Sequence, residues 1–150
     1  MVYGSHEVRP VLDVDQTLHP DWLTEERRRQ IQNIELKRML LAGNAVAYTN
    51  SGRSLEPNIY SGDKCTYEPV KCTYGVLEND IVFCELQDGD RFYAGLVREK
   101  WFDEDEHCDY FTIASTKGRF INGRVVYVGP INQGWCEIRH VYGRLSNVDQ

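Results

Sequence analysis

The hydrophobic pattern changes at Gly43, and this change restricts the fold more than any other feature of the sequence. Before it, Thr24 can cap a helix whose first turn carries Glu25 and Glu26, and Gly43 can end that helix. After Gly43 the pattern consists of short β-like runs separated by turn residues. The runs are Ala45–Thr49, Asp80–Leu86, Arg91–Arg98, Asp109–Ser115, Arg124–Val128 and Trp135–Tyr142. This order predicts a mainly β, mostly antiparallel domain preceded by one amphipathic α-helix.

We divide the chain into three segments on this basis. Residues 1–23 contain Pro10 and Pro20 and show no clear period, which predicts an irregular arm. Residues 24–43 form the predicted amphipathic helix, and residues 45–150 form the β domain. The apolar stripe predicted for the helix consists of Ile31, Ile34, Leu36, Arg38, Leu40 and Leu41.

The charge balance disfavours several classes of partner. The chain has 17 basic and 23 acidic residues and a formal net charge of -6, which gives no field to attract phosphate backbones or anionic lipids. No apolar run approaches the roughly 20 residues that cross a bilayer, and Met1–Arg9 lacks the order of a secretion signal. We therefore expect a cytoplasmic protein that binds neither nucleic acid nor membrane.

The cysteines give no sign of a metal site. Their number is odd and none forms a C-x-x-C pair, which fits neither a full disulfide framework nor a common zinc site. We expect buried free thiols, with no metal and no cofactor. Pairing of Cys65 with Cys72 across a hairpin stays open as the alternative. The cysteines are Cys65, Cys72, Cys84, Cys108 and Cys136.

Residues 52–63 carry the most specific motif of the chain, a Gly-x-Ser-x-x-Pro segment followed by Gly-Asp. Gly52 lets the chain turn sharply and leaves the hydroxyl of Ser54 exposed. The backbone amides around Gly52 and Arg53 can then face an oxyanion. This arrangement suits a serine nucleophile, so Ser54 is the candidate catalytic residue.

The motif resembles the signature of LexA-type repressors and signal peptidases, in which Gly-x-Ser-Met-x-Pro precedes Gly-Asp. Leu55 replaces the usual methionine, a volume-conserving exchange that packing tolerates well. Pro57 would fix the chain leaving the site, and Gly62 and Asp63 would form the turn into the next strand. The resemblance implies a LexA/signal-peptidase-like antiparallel β domain with a serine-peptidase site at Ser54.

Later segments resemble the strands that follow in this family, in the same order. They are Asn79–Phe83, Tyr110–Gly118 and Ile138–Leu145, although Asn79 stands where glycine is usual. With the serine motif they span about 100 residues, which a chance loop would rarely match.

The general base of the family has no counterpart in this sequence. A serine hydroxyl needs an adjacent base, and the resemblance puts a lysine or histidine on the strand after a hairpin. Counted from the turn Gln87–Asp90, that position falls on Ala94 or Gly95, and neither accepts a proton. Arg91 stays protonated in proteins. We expect the bases elsewhere in the sequence to be exposed charges; they are Lys64, Lys71, Lys100, His107 and Lys117.

A second motif points to another class of protein. Val11–Leu18 resembles the Asp-x-Asp-x-Thr motif of haloacid-dehalogenase-type phosphatases, and Ala45–Asn50 resembles their second motif. The resemblance implies that Asp13 attacks phosphorus, Asp15 handles the proton, and both bind magnesium. That fold needs repeated β-α-β units, and no helical period follows residue 44. We therefore favour a solvated arm for the two aspartates.

Taken together, the sequence predicts a catalytically degenerate peptidase-fold module that binds a protein or peptide along the former substrate cleft. An active Ser54-dependent peptidase with an unlocated base, and a phosphatase using Asp13 and Asp15, are the alternatives. The sequence leaves a homodimer open, because the apolar stripe of the helix must be covered.

Overall fold

The described part of the chain is mainly β with a single α-helix, as the sequence predicted. The computed structural model describes residues 10–16, 19–71, 75–86, 91–116, 118–122, 124–127 and 132–149. The elements are β1 (Leu12–Asp13), α1 (Glu25–Leu41), β2 (Val46–Thr49), β3 (Lys64–Pro69), β4 (Ile81–Glu85), β5 (Phe92–Asp103), β6 (Cys108–Ala114), β7 (Gly118–Ile121), β8 (Arg124–Tyr127), β9 (Asn132–Glu137) and β10 (Val141–Asp149). Short 3-10 helices occupy Val14–Gln16 and Ile138–His140. The predicted turn Gln87–Asp90 lies outside the described residues.

The principal sheet has eight strands in the order β1-β2-β3-β10-β4-β5-β6-β9, and β7 and β8 form a separate hairpin. Within the eight-stranded sheet β1 and β2 are parallel, because α1 carries the chain back to the starting edge. The other neighbouring strands of that sheet are antiparallel. The predicted run Trp135–Tyr142 is divided at Ile138–His140, since the chain must cross from the sheet edge to the gap between β3 and β4.

The part of the arm between Leu12 and Gln16 is ordered against the sheet. Leu12 pairs with Val46 and Asp13 with Ala47, and Val14 is fully buried. The sequence predicted an irregular arm here because a strand this short leaves no recognisable period.

The helix has well-formed ends. Thr24 accepts a hydrogen bond from the amide of Arg27 at 3.2 Å, as an N-cap residue does. At the other end Gly43 adopts a φ of 91°, and its amide donates to the carbonyl of Leu40 at 2.9 Å, which suits glycine. No helix in the described ranges is long and apolar enough to cross a membrane.

Only part of the predicted stripe of α1 is buried. Leu36 and Leu40 are 0% and 2% exposed, whereas Ile34 and Leu41 are 56% and 64% exposed. Leu40 packs so closely on β10 that a Cβ at Gly143 would lie 2.9 Å from its side chain. Apolar side chains of α1 occur on several sides of the helix, so the sequence pattern does not define the buried side. Packing against the sheet determines it.

The sheet buries apolar side chains on both faces, with α1 covering one of them. Along β4, Ile81 and Phe83 point to one face while Val82 and Cys84 point to the other, as strand alternation requires. The apolar cluster between this face and α1 includes Val14, Leu36, Leu40, Leu55, Ile59 and Tyr67. The opposite face includes Val97, Phe111, Ile113, Cys136 and Val141.

The predicted burial of free thiols is confirmed for Cys65, Cys84 and Cys136, and Cys108 is a partly exposed free thiol. Cys72 lies outside the described residues. Apolar strand interiors accept a small hydrophobe such as cysteine without cost.

A polar network joins α1 to the sheet. Glu85 accepts hydrogen bonds from Lys37 at 2.8 Å and from the hydroxyl of Tyr142 at 2.6 Å. Burial would raise the pKa of the Glu85 carboxyl, but the bonds from Lys37 and Tyr142 lower it below the usual value.

The two adjacent leucines at the end of α1 provide a test of the helix orientation. We expect Leu40→Ala to reduce the free energy of unfolding by about 2–5 kcal/mol, because it empties a packed site. Leu41→Ala should change it by less than about 0.5 kcal/mol. Urea unfolding measures both, and equal effects would contradict this orientation.

The Glu85 network predicts a pH dependence of stability. Because the pKa of folded Glu85 lies below its usual value, its contribution to stability is present above the usual pKa and is lost as pH falls through the folded pKa. Between pH 7 and pH 3, urea unfolding should therefore show a smaller decrease in the free energy of unfolding for Glu85→Gln than for the unmodified protein. Glu78→Gln, at an exposed position of the turn before β4, should keep the original pH profile.

Candidate functional site

The serine motif forms a loop that is closed at its base. The amide of Asn50 donates to the carbonyl of Asp63, and the amide of Gly62 donates to the carbonyl of Asn50, both at 2.9 Å. The side chain of Asp63 accepts from the amide of Tyr60 at 2.8 Å, and Gly62 has a φ of 95°. The Gly-Asp pair of the motif therefore closes the loop, and it lies directly before β3, where the sequence predicted a turn into the next strand.

Two apolar side chains fix the loop to the core. Leu55 and Ile59 are 1% and 0% exposed and lie in the cluster covered by α1. The carbonyl of Ser54 accepts a hydrogen bond from the amide of Thr116 at 2.8 Å, just after β6. Ser54 is thus held on both sides by buried contacts.

The residues beside Ser54 adopt the expected sharp turn. Gly52 has a φ of 87°, which glycine tolerates. The guanidinium of Arg53 lies at the surface and pairs with Glu56 at 3.1 Å. Pro57 follows Glu56 through a cis peptide bond.

Ser54 and Ala94 line the same small pocket, which has a volume of about 140 Å³. Its other lining residues are Asn33, Tyr48, Asn50, Ser51, Phe83, Phe92 and Tyr93. Gly95 belongs to the opposite face of β5, where an added Cβ would lie 2.5 Å from Ile113. Of the two positions counted from the sequence, Ala94 is therefore the one beside Ser54.

The described lining of this pocket contains no lysine, histidine or carboxylate. Burial raises the pKa of the Tyr93 phenol, and the nearby Ser54 hydroxyl and Arg91 offset part of that increase. The Tyr93 hydroxyl is buried without an aligned hydrogen bond to any described residue. Burial also raises the pKa of Tyr48. Both phenols are protonated at neutral pH, so they can donate hydrogen bonds but cannot serve as general bases.

The bases considered from elsewhere in the sequence are absent from the described pocket lining. The ammonium of Lys100 donates to the carbonyl of Val76 at 3.3 Å and lies over the ring of Phe111. Lys117 lies outside the described residues, while Lys71 and His107 lie on other segments of the surface.

Asp13 and Asp15 are held in ion pairs, in contrast to the solvated arm predicted for them. The ammonium of Lys64 lies 2.6 Å from Asp13 and 2.8 Å from Asp15. Thr49 donates a hydrogen bond to Asp15 at 2.6 Å. Burial would lower the pKa of Lys64, but the bonds to the two carboxylates raise it above the usual value. The sequence missed these contacts because Lys64 is far from both aspartates along the chain.

A second pocket of about 360 Å³ adjoins the first. Both are lined by Tyr48, Asn50 and Ser51, at the end of β2 and just after it, and the two neighbouring pockets together are called the groove below. The second pocket adds Arg28 and Arg29 from α1 and Asp15 from the arm. Among the described residues, no group of three or more histidine, cysteine or acidic side chains could hold a metal ion.

Sequence reasoning missed Tyr48 and Tyr93 as lining residues. Alternation within a strand indicates which side chains share a face, but it does not say which loop covers them. No family model matches this chain, and no curated protein matches it. The local geometry therefore carries the functional argument.

Proposed function

We propose that this chain is a LexA/signal-peptidase-like domain that has lost its general base and binds an extended peptide beside Ser54. The supporting observation is the pocket shared by Ser54 and Ala94. The resemblance puts the nucleophile and the base at these positions, and alanine cannot accept a proton. Loss of a general base typically lowers a rate by about 10²–10⁴-fold, so binding is the activity that this site retains.

The groove suits an extended peptide. β1 pairs with Val46 and Ala47 only, so among the described residues no strand pairs with Tyr48 and Thr49 on that side of β2. The side chain of Asp15 accepts a hydrogen bond from Thr49 at that edge, so an extended peptide would lie along the groove rather than pair with β2, and its alternate side chains would enter neighbouring pockets.

The pocket beside Ser54 sets a limit on the side chain it accepts. Phe83, Phe92 and Ala94 provide apolar surface in a volume of about 140 Å³. A cavity of roughly 150 Å³ binds one benzene molecule. One medium-sized apolar side chain therefore fits, with Ser51 in the lining for polar contacts.

Restoring a base tests the proposal. We expect the unmodified protein to resist labelling by a fluorophosphonate probe. Ala94→Lys should acquire slow labelling at pH 9–10, because its amine would enter the pocket beside Ser54. The matched control is Ala94→Lys combined with Ser54→Ala, which should remove the labelling. Strong labelling of the unmodified protein would show an active peptidase site instead.

The same experiment includes a binding measurement. Fluorescein-labelled peptides with a central alanine, valine or leucine should bind, as measured by fluorescence polarisation, and mass spectrometry should recover them intact. Ala94→Phe fills the pocket and should weaken binding at least about tenfold, or about 1.4 kcal/mol. Ile34→Phe, on the exposed side of α1, is the control. Failure of every peptide to bind would contradict the proposal.

A phosphatase is the second candidate, and one observation favours it. β1 and β2 are parallel with α1 between them, and Asp15 accepts a hydrogen bond from Thr49 at the end of β2. The position of Lys64 counts against it, because its ammonium neutralises both carboxylates that would bind magnesium. β1 also lies at the sheet edge, with antiparallel strands beyond β2.

Hydrolysis of p-nitrophenyl phosphate distinguishes the two candidates. We expect no magnesium-dependent phosphate release, because magnesium would have to displace Lys64 from both aspartates. Release that requires magnesium and disappears in Asp13→Asn would establish the phosphatase and overturn this ranking. Asp21→Asn, on the segment before α1, is the control variant.

A further inference from the structure

Three aromatic side chains form a contiguous surface on β5, β6 and β9. The rings of Trp101 and Tyr110 stack with centroids 5.7 Å apart, and the rings of Tyr110 and Trp135 meet edge to face with centroids 5.4 Å apart. Trp101 and Trp135 are 41% and 39% exposed. A contiguous exposed aromatic cluster marks an interaction site more often than single exposed residues do.

The strand register places these rings on one face. Trp101 lies opposite Tyr110, and Trp135 lies opposite Thr112, the next residue on that face of β6. The alternating neighbours Phe111 and Cys136 are buried on the other side. The sheet therefore holds the aromatic cluster in a fixed arrangement.

Carboxylates surround the rings. By the same register Glu99 and Asp103 of β5 and Glu137 of β9 lie on the aromatic face. Asp103 also accepts hydrogen bonds from the amides of Asp105 and Glu106, at 2.9 and 3.2 Å, which fixes the acidic turn after β5. Partial desolvation and the charges of Glu137 and Glu106 raise the pKa of Tyr110.

This combination selects a cationic partner. Aromatic faces attract ammonium and guanidinium groups, and the surrounding carboxylates attract the same groups by charge. Arg139 pairs with Glu137 at the rim, which leaves the acidic turn and Glu99 to face the partner. Association with a second copy through this face would bring like charges together, since the chain carries a net charge of -6.

We propose that the face formed by Trp101, Tyr110 and Trp135 binds an extended segment of a partner protein that is rich in arginine or lysine. Among the strands that the structure describes, β9 is the last in the sheet order, so the segment can add as a strand at that edge. Its alternate side chains would then extend over the rings. This interaction is independent of the Ser54 groove and of the function proposed for it.

The probe is a fluorescein-labelled peptide of alternating arginine and threonine, compared with a peptide of alternating glutamate and threonine. We expect only the arginine peptide to raise fluorescence polarisation, with binding that weakens as salt increases. Trp101→Ala and Trp135→Ala should each weaken binding by about two- to fivefold, the effect of an exposed cation–π contact.

Two control variants keep the test specific. Trp22→Ala removes an exposed tryptophan before α1, and Phe102→Ala removes an exposed ring from the opposite face of β5; neither should change binding. Ala94→Phe should also leave it unchanged, which separates this face from the Ser54 pocket. Circular dichroism checks that each variant is folded.

Several results would overturn the proposal. They are equal binding of the glutamate peptide, binding that is unaffected by both tryptophan substitutions, and absence of binding at millimolar peptide. Salt-independent binding of a neutral glucose oligosaccharide through the same tryptophans would assign the face to saccharides instead. Tryptophan-dependent self-association in sedimentation velocity would assign it to a second copy of the chain.

Discussion

The pairing of β5 with β4 and β6 is the constraint on which both proposed sites depend. Side chains alternate along β5, so those of Phe92 and Ala94 lie on the face that carries the Ser54 loop. Tyr93 and Gly95 occupy positions on the opposite face of the strand. Beyond a register shift after Val97, the same strand presents Trp101 to solvent. A slip of one residue would reverse every one of these positions.

The Ser54 loop is held by buried contacts, although the described lining of its pocket contains no base. Leu55 and Ile59 are buried, and the carbonyl of Ser54 is bonded to Thr116. Preorganisation of this kind supports catalysis when a base is present, and it equally supports peptide binding because little ordering is needed on association. The proposed loss of chemistry therefore requires only a change at Ala94.

The edge of the sheet near Asp13 illustrates how a short motif can have a structural role. Lys64 binds Asp13 and Asp15, and Thr49 binds Asp15, so the arm is fixed to β2 and β3. Asp15 and Thr49 also line the larger pocket in the groove. The spacing that resembles a phosphatase motif thus also fits an ion-paired attachment of the arm.

The sequence by itself determined the helix ends, the mainly β class and the turn residues of the serine motif, because Thr24, Gly43 and Gly62 act through local backbone geometry. The sequence of β3 also alternates between residues that are buried, Cys65 and Tyr67, and residues that are more exposed, but β3 was not among the predicted runs. Only the tertiary structure decided which helix face is buried, that Ala94 faces Ser54, and that Lys64 meets two aspartates. Those outcomes depend on contacts between residues far apart in the chain, which local propensity does not encode.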